Sequence, residues 1–147
     1  MRWLLDTNVV SEFARSRPNR AVLNWIARQP DELVTISAVT LAELQVGLAT
    51  ADDRKRAQLE SWLERAVSSW FGERILPVSV EILKTWLETG RGLAAKGMTC
   101  NPADLLIAAT AHIHNLTVVS RNARDFAGTG VVVHDPWSGK THHTEMV

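Results

Sequence analysis

Short apolar runs alternate with amphipathic stretches along most of this chain. Trp3-Leu4-Leu5 is wholly apolar and ends in Asp6-Thr7-Asn8, the pattern by which a buried parallel strand delivers its C-terminal end to a polar loop. Val9 to Ala14 reads as a short helix that breaks at Arg15-Ser16-Arg17-Pro18-Asn19, and Ala21 to Arg28 as a second helix closed by Gln29-Pro30-Asp31. Leu33 to Ile36 is the next strand, after which Ser37 to Thr40 offers hydroxyl caps for a helix reaching about Ala49. From Arg54 to Trp70, the residues Leu59, Trp62, Leu63, Ala66, Val67 and Trp70 recur at helical spacing, which predicts one long amphipathic helix. Arg74 to Val78 reads as a third strand, with Pro77 at an edge or strand end. A further helix opens at Val80 and is expected to break or fray at Gly90, Gly92 and Gly97.

The stretch from Asn101 to Phe126 organises the rest. Asn101 is a favoured N-cap, Pro102 suits the first helical position, and Asp104 falls third, where the helix dipole favours a negative charge. Leu105 to Ala111 leaves almost no polar face, so this helix is buried and ends near Asn115. Leu116 to Val119 then forms a strand that feeds the polar loop Ser120 to Asp125. Gly130 to His134 reads as the last strand, Asp135-Pro136-Trp137 as a turn, and residues 139–147 as a mobile tail. Strands alternating with helices imply one α/β domain over residues 1–138: three layers, α/β/α, with a mainly parallel central sheet.

At 147 residues, folding removes roughly 68–70% of the unfolded chain's surface from water, so a full core is available. Lys and Arg together number 16, as do Asp and Glu. With no net charge there is no bulk attraction to nucleic acid or to a membrane surface, and any polyanion site must be local. The one cysteine excludes an internal disulfide. Asp6 interrupts the N-terminal apolar run before a signal core or membrane span could form, which points to the cytoplasm. Six Trp and no Tyr point to core or interface packing rather than to chemistry.

Three acids stand at strand ends or helix starts: Asp6, Glu43 and Asp104. Each has a structural alternative. Asp6 can cap the helix after it, Thr40-Leu41-Ala42-Glu43 matches a capping box, and Asp104 suits a helix start. In a parallel sheet, however, sites form beyond the C-terminal strand ends at a topological switch point, and the fold lets these acids converge there. Three carboxylates at one sheet edge repel one another, and a cation resolves the conflict. Hard oxygen ligands without clustered His or Cys select Mg²⁺ or Mn²⁺ rather than zinc, and such an ion suits hydrolysis of a nucleic-acid backbone. Thr7, Asn8, Ser120 and Asn122 either shape the loops or hold a water or substrate oxygen, and Asp125 either completes the acid cluster or caps its loop. Arg15, Arg17, Arg20, Arg121 and Arg124 are candidates to steer a phosphate backbone, or else a solvated rim. The Gly92-to-Thr99 spacing is Walker-like, but Met98 stands where the lysine is required, so a nucleotide P-loop is excluded.

The segments LLDTNVVSE (4–12), SAVTLAEL (37–44), PADLLIAATA (102–111) and SRNARDF (120–126), with the late Asp135-Pro136-Trp137, resemble PIN-domain ribonucleases, in particular the VapC-type toxins and their FitB-like branch. The resemblance spans nearly the whole chain. It implies that Asp6, Glu43 and Asp104 are the metal-binding acids of an Mg²⁺-dependent endoribonuclease, with Asp125 or the position of Asn122 supplying a fourth. It also implies a homodimer, an RNA substrate such as tRNA or rRNA, and a small VapB-type antitoxin that enters the acidic groove. Two other functions fit the same residues: a non-catalytic module that holds a basic segment in that groove, and a metal-dependent DNA nuclease of the same fold.

Overall fold

The computed structural model describes residues 1–147 except the side chain of Trp70, so the expectation that Trp70 shares the apolar face of the long helix lies outside the described residues. The sheet has the order β3-β2-β1-β4-β5-β6, built from β1 (Trp3–Leu5), β2 (Val34–Ser37), β3 (Ile75–Leu76), β4 (Thr117–Val119), β5 (Val132–Asp135) and β6 (Lys140–His143). The first five strands are parallel, and β6 runs antiparallel along β5. Because β2 lies on one side of β1 and β4 on the other, the chain reverses its direction of sheet growth at β1, and a crevice opens beyond that strand's C-terminal end.

Leu4 and Leu5 are both fully buried, yet they point to opposite faces, as consecutive strand residues must. Leu5 joins Val9, Val10, Ile36 and Val119 in a core shared with α1 (Thr7–Phe13), α2 (Arg20–Ala27), α3 (Ala38–Thr50) and α4 (Asp53–Arg65). Leu4 joins Ile107, Ala108, Ala111, Val118 and Val133 beneath α6 (Pro102–His114), which packs on α5 (Val80–Ala95). Helices thus cover both faces, giving the expected three layers. Trp3 and Trp25 meet edge-on with ring centroids 4.9 Å apart, and Trp62 is buried beside Phe13.

Three expectations need correction. First, α5 runs unbroken through Gly90 and Gly92. A Cβ at Gly90 would lie 3.3 Å from Leu105 Cδ2, and one at Gly92 3.3 Å from the Val147 carbonyl oxygen, so the glycines permit close packing instead of ending the helix. Second, the long helix stops being α-helical at Arg65 and turns through a π-type segment, Ala66–Trp70. Third, the segment expected to be a mobile tail holds β6. Beyond it Thr129 bridges Met146, and the Val147 N–H donates to the Gly128 carbonyl at 3.2 Å.

Candidate active site

The register Leu5↔Val119 between β1 and β4 sets Asp6 opposite Ser120 at the strand ends. The Asp6 N–H continues the ladder to the Val119 carbonyl at 2.9 Å. The Asp6 side chain is almost fully buried, and both carboxylate oxygens are occupied: Oδ1 accepts from the Thr7 N–H at 2.8 Å, and Oδ2 from Ser120 Oγ at 2.8 Å. Asn8 Nδ2 donates to Ser120 Oγ at 3.1 Å and lies 3.4 Å from Asp6 Oδ2, while its Oδ1 accepts from the Arg121 N–H at 3.3 Å. Ser120 Oγ also accepts from the Asn122 N–H at 3.1 Å. Asp6 therefore caps α1, and in the same position it is the buried end of a network joining residues more than a hundred apart.

Glu43 does not form the capping box. Ser37 caps α3 by accepting from the Val39 N–H at 3.0 Å, whereas Glu43 lies a turn and a half further on, and its Oε1 accepts from Thr7 Oγ1 at 2.7 Å. The helix thus brings Glu43 toward α1, beside Asp6. Asp104 lies in the first turn of α6, whose cap is Asn101, with Oδ1 accepting from the Ala103 N–H at 2.9 Å. Because α6 leads into β4, it runs back along the sheet, and its N-terminus lies over the C-terminal strand ends. Asp125 lies in the short 3₁₀ turn after Asn122 and is exposed.

Glu43 and Asp125 act on both Asp6 and Asp104, and Asp6 acts on Asp104 as well. Asp104 is raised to about 6, first by desolvation and then by the charges of Asp6, Asp125 and Glu43. Asp6 is raised by burial and by Glu43 and Asp125, against the opposing effect of its hydrogen bonds from Ser120 and Thr7. Every charge that acts on Asp104 is negative, and that electrostatic strain suits a cation. Among the described residues, no three Asp, Glu, His or Cys side chains close into a ready-made ligand cage. Mg²⁺ needs none, since it keeps several waters and takes only one or two carboxylates directly. The oxygen-only donor set fits such an ion and does not fit zinc.

The other candidates divide. Arg15 pairs with Glu12, and Arg121 lies over the Trp137 ring at 5.3 Å. His112 bonds the Thr129 carbonyl at the far end of α6. Cys100 donates to the Asp125 carbonyl at 3.3 Å, and burial together with Asp104 and Asp125 raises its thiol to about 11, which makes it a poor nucleophile. Sequence reasoning missed Glu12. Buried in α1, it holds Arg15 Nη1 at 3.1 Å and accepts from the Asn19 N–H at 3.1 Å, which pins the break between α1 and α2. The available signal was a Glu and an Arg three apart before a Pro-Asn break.

At the switch point of the parallel sheet, the charges of Asp6, Glu43 and Asp125 all act on Asp104. A family model described as the PIN domain matches residues 3–131, and the chain belongs to that family. It is 37% identical over 135 residues to the toxin FitB of Neisseria gonorrhoeae, spanning 91% of this chain and 97% of FitB. It is 36% identical over 135 residues to a VapC ribonuclease of Sinorhizobium fredii, spanning 91% of this chain and 96% of that protein. Among solved structures, FitAcB from Neisseria gonorrhoeae superposes with a TM-score of 0.81 at 36% identity, covering 92% of this chain and 98% of that one.

Proposed function

We propose that this chain is a divalent-metal-dependent endoribonuclease and the toxic half of a toxin–antitoxin pair. The observation that carries the reading is the convergence of Asp6, Glu43, Asp104 and Asp125 on one crevice, where each acid raised in pKa is raised in part by the others. The similarity to a VapC ribonuclease and to the toxin FitB supports the substrate class and the toxic role. Asp6, Glu43 and Asp104 would hold Mg²⁺ or Mn²⁺, with Asp125 as a fourth acid. When bound, that ion supplies an activated water and neutralises charge on the phosphodiester.

The protein's own contribution is orientation. Ser120 Oγ and the Thr7 N–H fix the two oxygens of Asp6, and Thr7 Oγ1 fixes Glu43, so the carboxylates are held before any ion arrives. Asn8 holds Ser120 and the Arg121 backbone, which joins the β4 loop to the same network. A chain that cuts cellular RNA needs restraint, so the reading entails a small neutralising protein that covers the crevice; a homodimer is the assembly proposed.

The test uses purified protein with single-stranded RNA and DNA of the same sequence. The expected result is RNA cleavage in Mg²⁺ or Mn²⁺ that stops in EDTA and falls at least ~10²-fold in Asp104→Asn, as for loss of a principal charge-stabilising group. Cleavage that survives EDTA, or an unimpaired Asp104→Asn enzyme, overturns the reading. Equal cleavage of DNA moves the assignment to a general nuclease.

A further inference from the structure

The strand order β1-β4-β5 carries a second group of residues to the sheet edge at which Asp6 lies. Asp6 ends β1, Ser120 and Arg121 follow β4, and Pro136 and Trp137 follow β5. Neighbouring strands lie about 4.8 Å apart, so the end of β4 is one such spacing from Asp6 and the end of β5 about two. Glu43 comes from α3, which follows β2 on the other side of β1. Arg121 is exposed, and its guanidinium carbon lies 5.3 Å from the centre of the Trp137 ring. Among the described residues it has no carboxylate partner, and its side-chain N–H groups donate no hydrogen bond. We propose that Arg121, seated on Trp137, is a substrate clamp that takes the RNA phosphate adjoining the one at the acids. The assignment rests on the ribonuclease reading above and adds to it a residue that touches the strand.

The seat is fixed before any ligand arrives. Trp137 is half-buried and packs on the core beneath α1 and α2. Asp135 closes its turn, with Oδ1 accepting from the Trp137 N–H at 2.8 Å and Oδ2 from Ser138 Oγ at 2.8 Å. Both oxygens of Asp135 thus serve the turn, and neither is an ion-pair partner of Arg121. The Arg121 backbone is held from the other side, its N–H donating to Asn8 Oδ1 at 3.3 Å, and Asn8 also holds the Ser120 hydroxyl that bonds Asp6. The residues that set the first carboxylate therefore set the root of the arginine. A cation over an indole face is held by its charge and spends no N–H donor, so all five remain for an anion. An arginine that only fastens a loop uses those donors internally, as Arg74 does on the Asp31 and Val34 carbonyls and Arg15 on Glu12. The ligand that suits this edge carries a phosphate at each end of the path. One reaches the acids through a bound cation, and the next meets a planar fork that matches phosphate oxygens. A basic segment suits the acids and is repelled by Arg121.

Anisotropy of a labelled single-stranded RNA on the full chain in EDTA, taken over a salt series, reads the contact without the metal. Cleavage of the same RNA in Mg²⁺ reads kcat and KM. Arg121→Gln should weaken binding several-fold, make the slope of log affinity against log salt shallower by about 0.7, and raise KM with kcat held. Arg121→Lys should restore the slope, since the charge returns, but only part of the KM, since the fork does not. Trp137 is the positioning residue: Trp137→Leu should raise KM, Trp137→Phe should restore it by returning a ring face, and Trp137→Leu should add nothing to Arg121→Gln. Wild-type salt slope and KM in Arg121→Gln, while the wild type cleaves RNA, overturn the clamp and leave the nuclease reading standing. A fall in kcat alone does the same, because it marks a residue that orders the β4 loop. Additive effects of the two substitutions overturn the role given to Trp137. If Trp137→Leu fails to fold, the Arg121 series decides by itself. Wild-type protein that neither binds nor cleaves RNA brings down both readings. Poly-glutamate that displaces the RNA as effectively, charge for charge, overturns the phosphate assignment in favour of an acidic protein segment.

Discussion

Asp104 titrates near pH 6 because burial and three like charges disfavour its ionised form, and this makes the site's electrostatics visible in stability. A carboxyl whose pKa rises on folding binds its proton more tightly in the native state. Its stabilising contribution is full below the unfolded value of about 3.8 and is lost as pH rises through about 6. In divalent-free buffer, wild-type Tm should therefore fall between about pH 4 and 6 more steeply than that of Asp104→Asn, and the variant should be the more stable of the two at neutral pH. Added Mg²⁺ should raise the wild-type Tm at neutral pH and leave the variant nearly unmoved; parallel pH curves would show that Asp104 feels no such field. Ser120→Ala removes the 2.8 Å hydrogen bond to Asp6 and should lower cleavage about 10–100-fold, the usual cost of an outer-shell partner, with far-UV circular dichroism unchanged. The positions of Asp6, Glu43 and Asp104 were legible because strand ends and helix starts can be read from apolar runs and caps. The bond from Thr7 to Glu43 was not, since a T-x-x-E pattern looks the same whether its Glu turns back to the cap or across to another helix.

The helices and central strands follow the apolar pattern closely, because burial on a sheet face is what that pattern encodes. The errors fall where a neighbour distant in sequence decides. Gly90 and Gly92 look like helix breakers in isolation, yet each is the close-approach point of another segment, Leu105 in one case and the C-terminal Val147 in the other. Gly128 gives the clearest test of this seam. Its φ is +80°, and a Cβ there would lie 2.6 Å from Leu93 Cδ2 on α5 and 3.0 Å from Met98 Cε. Left-handed backbone strain of about 1–2 kcal/mol adds to overpacking of about 1–3 kcal/mol. Gly128→Ala should therefore lower Tm by about 4–20 °C, at roughly 2–4 °C per kcal/mol for a chain of this size. An unchanged thermal melt would mean that α5 and the 128–130 turn are not packed as described.

Across the whole molecule, the site and the closing strand are separable. Asp6, Glu43 and Asp104 hang on β1, α3 and α6 and Asp125 on the turn after β4, all before residue 127, whereas β6 and the residues after it fasten the outer edge of the sheet. Thr144 donates both its N–H, at 3.1 Å, and its Oγ1, at 2.7 Å, to the Val131 carbonyl, and the Val147 N–H reaches Gly128. In β6 itself, Lys140, Thr141, His142 and His143 are exposed, so the strand adds backbone pairing more than apolar burial, and neither its composition nor its periodicity marked it as a strand. Ending the chain after Gly139 removes those bonds and bares the edge of β5. The truncated protein should melt at a lower temperature, expose β5 amides to faster hydrogen exchange and self-associate more readily through the open edge, yet cleave RNA with the wild-type metal dependence below its melting point. Unaltered exchange in β5 would return residues 140–147 to the role of a loose tail. Loss of cleavage in protein that is still folded would tie the closing strand to the acid crevice through the Asp135-to-Trp137 turn and the Arg121 guanidinium that lies over Trp137.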